Sequence, residues 1–163
     1  MNVSHTCESP HSTGYSNVCQ ICRVPLDAGY FDVASIKKAP QNVGDEVEVA
    51  RYELHPQYCG TLLYFMQYAE ESGKQVISHT PGYEWLILCN NQPRAPYLPT
   101  DLILNPWGTN TPPIHLRLEE GCTVRFVVRR VAAAGTVEMS KVGGRLLGRT
   151  WYNTIYGGTP NRL

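Results

Sequence analysis

The sequence predicts an all-β protein: an antiparallel β-sandwich, jelly-roll-like, with an irregular N-terminal segment that carries Cys and His. Three observations lead there. Pro113–Ala132, PIHLRLEEGCTVRFVVRRVA, alternates apolar and polar residues on both sides of Gly121. Side chains on a strand point to opposite faces with period two, so this reads as a β-hairpin with one covered face. Turn formers are abundant, 14 Gly and 12 Pro in 163 residues, and Tyr outnumbers Phe by 10 to 3, a mix that favours loop-rich β structure. Short alternating or apolar runs recur between turn signals, giving about seven or eight strands.

Composition limits the rest. The length fits one domain able to bury its own core. The net charge is zero and only 17% of residues are charged, which gives little long-range attraction to nucleic acid or to an anionic membrane. A sparsely charged surface resists association poorly and suits protein contacts. No apolar run approaches the ~18 residues of a membrane helix. The start, MNVSHTCESPHST, lacks a basic region followed by an apolar one, so no signal peptide is expected. Synthesis in the cytosol is then expected, with the six cysteines mostly reduced.

Residues 1–45 read as an arm and linker. His5, Cys7, His11, Cys19 and Cys22 cluster there. Cys19-Gln-Ile-Cys22 has the spacing that lets two thiolates reach one tetrahedral ion, and Cys7 with His5 or His11 would complete a Cys3His zinc site. The segment is too polar to bury a core, so a metal would supply its order. Free thiols, or a disulfide formed outside the cell, remain the alternatives. Residues 24–45 hold turn signals at Pro25, Gly29, Pro40 and Gly44 and read as irregular linking structure.

Residues 46–54 alternate as a strand, with Val47, Val49 and Arg51 on one face, and His55-Pro56 ends it. Residues 61–71 carry two periods. Leu62, Phe65, Met66 and Ala69 form a helical stripe, whereas Leu62, Tyr64, Met66 and Tyr68 alternate. Tyr and Phe enrichment favours the strand. Residues 74–79 suit a short strand. Residues 83–89 are apolar on both faces, as in a strand that is central or covered on both sides. Asn90-Asn91 is a turn, and the prolines of 92–113 make that stretch a loop, anchored by Leu102, Leu104 and Trp107. Val137–Tyr152 reads as a last strand or strand pair, with Gly143, Gly144 and Gly148 marking bulges or close backbone approach. The sandwich is expected to span 46–158, with 159–163 a tail.

No nucleophile elbow, P-loop, dinucleotide-binding glycine pattern or HExxH occurs, and the four aspartates are scattered. The chain reads as non-enzymatic. A small cupin-like metal enzyme would need clustered histidines, which the spacing of His55, His79 and His115 does not provide. Arg117, Arg125 and Arg129 fall on the polar side of the expected hairpin. Arginine with tyrosine is enriched at protein interfaces, so these three are candidate partner contacts, set against a plain solvated sheet face. Trp107 is a second candidate, for protein or for stacking on sugar.

The stretches ARYELHPQYCGTLLYFMQYA, YEWLILCNNQPRAPYLPTDLILNPWG, IHLRLEEGCTVRFVVRR and KVGGRLLGRTWYNTIYGG together resemble small β-sandwich virion proteins of tailed bacteriophages, of the head decoration or cement type. The resemblance covers roughly residues 46–158 and contains no catalytic motif. It implies a structural protein that assembles in the host cytoplasm, resides in the virion, and binds the major capsid protein or copies of itself as a homo-oligomer. A carbohydrate- or protein-binding sandwich module is the alternative.

Overall fold

Alternating runs become strands wherever one side of the backbone can be buried. The computed structural model describes residues 24–25, 28–76, 81–94, 116–132 and 138–152, and these contain nine strands and no helix. The strands are β1 (Gly29–Lys38), β2 (Glu46–Glu53), β3 (Tyr58–Glu71), β4 (Lys74–Gln75), β5 (Tyr83–Cys89), β6 (Gln92–Pro93), β7 (Leu116–Leu118), β8 (Thr123–Arg130) and β9 (Lys141–Tyr152).

They form two antiparallel sheets packed face to face. The first runs β1-β9-β3, with β7 and the short β4 beside different ends of β3, and the second runs β2-β8-β5-β6. The pairing is nested. β1 pairs β9, β2 pairs β8, β3 pairs β7 and β5 pairs β6, all antiparallel. One long hairpin has been folded over and rolled up, which is the jelly-roll arrangement the sequence predicts. The centre of the roll is the two-residue turn Asn90-Asn91. Both residues have positive φ, 50° and 63°, which matches the twist of the flanking strands and suits asparagine.

The core lies between the sheets. Phe65 of the first sheet meets Phe126 of the second edge to face, with ring centroids 5.7 Å apart, and Trp85 packs on the same Phe126 ring at 5.7 Å. At the open edge, Phe31 stacks on Tyr52 at 4.0 Å and joins β1 to β2. The glycines of β9 are sites of close approach, one of the two readings expected. A Cβ on Gly144 would sit 2.5 Å from Val49 Cγ2 and 2.6 Å from Phe126 Cδ1, so its missing side chain lets the second sheet settle onto the first. At Gly148 a Cβ would lie 2.4 Å from the Phe31 ring and 2.3 Å from the Thr61 carbonyl. β5 is covered on both sides, as expected of a strand apolar on both faces. Trp85 and Ile87 enter the main core, and Leu86 and Leu88 form a second buried cluster with Val127 on the opposite face.

Several expectations change. Residues 24–45 are not all linking structure. β1 occupies ten of them and pairs with β9 along its whole length, so the folded body includes residues before 46. The strand was hidden because it is an edge strand with only Phe31, Val33 and Ser35 turned inward. The expected 113–132 hairpin does not form. β7 pairs with β3, whereas β8 lies between β2 and β5 with both edges taken. The Glu119–Cys122 turn, closed by the Cys122 N–H donating to the Glu119 carbonyl at 3.0 Å, carries the chain from one sheet to the other. In β2 a bulge at Val49 buries both Val49 and Ala50 and turns Arg51 outward. Residues 61–71 are strand, as favoured, with a bulge at Leu63. Residues 141–152 form one continuous strand, not a pair.

Candidate interaction surfaces

The outer face of the first sheet follows from the alternation of its three long strands. Phe31, Val33, Leu146 and Phe65 point inward, so their neighbours point out. The register aligns them in rows: Asp32, Leu147 and Tyr64; Ala34, Arg145 and Met66; Ile36, Gly143 and Tyr68. Ile36 is 59% exposed and Met66 53%, values unusual for large apolar side chains in the middle of strands. Two ion pairs lie within this face. Arg145 donates to both oxygens of Asp32 and holds that carboxyl below its usual range. At one end Tyr68 Oη donates to Glu70 at 2.8 Å, and Lys141 lies 3.1 Å from the same carboxylate. These two hydrogen bonds, Tyr68 first, lower the Glu70 pKa. At the other end Arg149 is buried, stacks over Tyr30 at 4.7 Å and donates to the Ala28 carbonyl at 2.7 Å.

The outer face of the second sheet carries a charge ladder along β2 and β8, beside the Leu86, Leu88 and Val127 cluster. Arg125 Nε donates to Glu48 at 2.5 Å, and its Nη2 lies 3.6 Å from Glu46. Arg129 donates to Glu46 at 2.9 Å, and Arg51 pairs with Glu53. Next to the ladder is an open polar cleft of about 430 Å³ lined by Arg51, Asn90, Asn91, Thr123 and Arg125. Arg125 Nη1 donates to Asn91 Oδ1 at 2.8 Å, and the Thr123 N–H donates to Asn90 Oδ1 at 2.9 Å. The cleft is thus built from side chains that already satisfy one another.

The structure separates the arginines expected to share one face. Arg117 lies on β7 of the first sheet, whereas Arg125 and Arg129 lie on β8 of the second. The reason is the sheet-to-sheet crossing at Glu119–Cys122. Arg125 and Arg129 are also paired within the chain, with Glu48 and Glu46. His5, Cys7, His11, Cys19, Cys22 and Trp107 lie outside the described residues, as do His79 and His115. Among the described residues, no group of three or more His, Cys, Asp or Glu could hold a metal ion. Sequence reasoning missed Tyr30, Ile36 and Met66 as surface features. The usable signal was a match between two patterns, the weak alternation of GYFDVASIKK and the glycine-rich KVGGRLLGR that it pairs with.

The fold and its surfaces define a jelly-roll sandwich whose first sheet exposes Ile36 and Met66 and whose second sheet sets a ladder of ion pairs beside the apolar cluster of Leu86, Leu88 and Val127. No protein family, curated protein or solved structure matches the chain.

Proposed function

We propose that the chain is a non-enzymatic structural protein of a phage particle, docking on the major capsid protein through the outer face of its first sheet. The observation that carries this reading is the patch of exposed Ile36 and Met66 with Tyr64 and Tyr68 around the paired Asp32–Arg145. Aromatic residues, Met and Arg with few unpaired charges are the composition of an interface centre. A rigid jelly roll supplies the flat support such a contact needs, and the resemblance to decoration proteins points to the partner. The five Cys and His of residues 5–22 would add a zinc-stapled arm.

Co-sedimentation with capsids assembled from the major capsid protein tests the docking. The chain is expected to pellet with the capsids, and the double substitution Ile36→Asp with Met66→Glu to abolish this. Glu84→Lys, on the other sheet, should have no effect. A chain that stays in the supernatant overturns the reading, and unchanged pelleting of the double variant moves the contact elsewhere. Native mass spectrometry with and without a chelator tests the arm. One zinc per chain is expected, released by Cys19→Ser.

A further inference from the structure

On one side of the sandwich β1 ends the first sheet and β2 ends the second. The two edges are tied by the Phe31–Tyr52 stack and by the Ser35 hydroxyl, which donates to the Val49 carbonyl at 2.6 Å. They differ in how they meet solvent. β2 is guarded, because a bulge at Val49 breaks its register and it carries Glu46, Glu48, Arg51 and Glu53. β1 has no such device. Its ten residues contain no proline, pair with β9 without a bulge, and turn only Phe31, Val33 and Ser35 inward. Among the described residues no strand lies beyond it. Folded proteins usually blunt a long edge strand with bulges, prolines or inward charges, because its unpaired backbone is a template for another chain.

The ladder fixes which backbone groups face the open side. The Ala39 N–H donates to the Ser140 carbonyl at 3.2 Å, one step beyond the Lys38–Lys141 pair and in the same register. In an antiparallel pair, residues that exchange hydrogen bonds alternate with residues that do not. Ala39, Lys37, Ser35, Val33 and Phe31 therefore turn their backbone polar groups toward β9. The Ser35 carbonyl agrees, lying 2.9 Å from where a Cβ on Gly143 would stand. Asp32, Ala34, Ile36 and Lys38 turn theirs to the open side, and the side chains of all four are exposed. A strand laid along this edge would find the N–H and the carbonyl of each.

We propose that β1 pairs antiparallel with β1 of a second copy of this chain, about a two-fold axis at Ser35, so that the first sheets of the two copies run on as one. The side chains select both the occupant and the register. Two-fold pairing sets residue i against j and j against i. Backbone groups that face the open side must also meet others that do. With the axis at Ser35, Asp32 stands opposite Lys38 of the second copy and Ala34 opposite Ile36, and each pair occurs twice. Lys38 is exposed and has no carboxylate partner among the described residues. With the axis at Ala34 the Asp32 carboxylate would instead face Ile36, and with the axis at Ile36 the Lys38 ammonium would face Ala34. Only the Ser35 register puts opposite charges across from each other, and such cross-strand pairs stabilise a sheet. The bonds are made by the backbone, as in other cases of strand addition at a sheet edge. The outer faces stay open, and Ile36 and Met66 of both copies come to lie on one surface. The proposal does not rest on the capsid-docking reading.

The test is sedimentation equilibrium of the full chain without capsid protein, followed by carbodiimide cross-linking of an equal mixture of unlabelled and heavy-isotope-labelled chain. Twice the chain mass is expected, with a mixed-isotope peptide that joins Asp32 to Lys38. Within one copy these residues are six positions apart on an extended strand, about 20 Å, so a zero-length link between them requires a second copy. Ala34→Pro removes an N–H that faces the open side and leaves the ladder to β9 intact, and it should give the single-chain mass with unchanged β-sheet circular dichroism. Lys38→Glu sets two acids opposite each other and should weaken association several-fold, which decides the matter if the proline variant does not fold. A single-chain mass at every concentration overturns the proposal. A dimer that survives both substitutions, or whose cross-links join other residues, overturns it as well. Because capsid protein is absent, failure here leaves the co-sedimentation result standing, and failure there leaves this one.

Discussion

At Gly144 the two sheets touch through a position that has no side chain. Val49 and Phe126 fill the space a Cβ would need, and both are rigid and fully buried. Gly144→Val is therefore expected to cost at least the ~1–3 kcal/mol of core overpacking, read as a lower urea midpoint. Phe126→Ala, which removes the ring shared by Phe65 and Trp85, should cost about 3–5 kcal/mol in the same assay. At this scale the glycines of β9 were legible, because Gly in a strand signals close approach. The ion pairs were not, since Arg125 and Glu48 stand 77 residues apart and meet only through the pairing of β2 with β8.

β3 shows how an element can be read correctly and still mislead in detail. Its sequence carries a helical stripe at Leu62, Phe65, Met66 and Ala69 beside a strand alternation. The bulge at Leu63 explains both. One extra residue after Leu62 moves the inward set to Phe65, Gln67 and Ala69, leaving Leu62 and Phe65 three apart and Met66 in solvent. Deleting Leu63 would restore unbroken alternation with the same inward residues. That variant is expected to keep its β-sheet circular dichroism and to lose about 1–2 kcal/mol, within the ordinary range for single changes. β7 and β8 teach the complementary lesson. Two amphipathic strands joined by a tight turn look alike in sequence whether they pair with each other or cross between sheets. Only the competition for partners decides, and β8 is claimed on both edges by β2 and β5. β1 was missed because an edge strand buries little and so alternates weakly.

For the whole molecule, nesting means that the outermost pair brings together residues more than a hundred positions apart, Gly29 with Thr150. Such non-local pairing is slow to find, and refolding is expected in the millisecond-to-second range of all-β domains, measurable by stopped-flow fluorescence of Trp85 and Trp151. The fold class could be read from local patterns; the strand number, about seven or eight expected against nine among the described residues, was short, and which strand lay beside which could not be read. The Gly29–Thr150 pair has a consequence of another kind. The start of β1 and the end of β9 stand side by side, at one end of one sheet. In a chain cut back to residues 29–152, a short linker from Tyr152 to Gly29, with a new break in the exposed Ser72-Gly73 turn, should yield a circular permutant with the same sheet pairing.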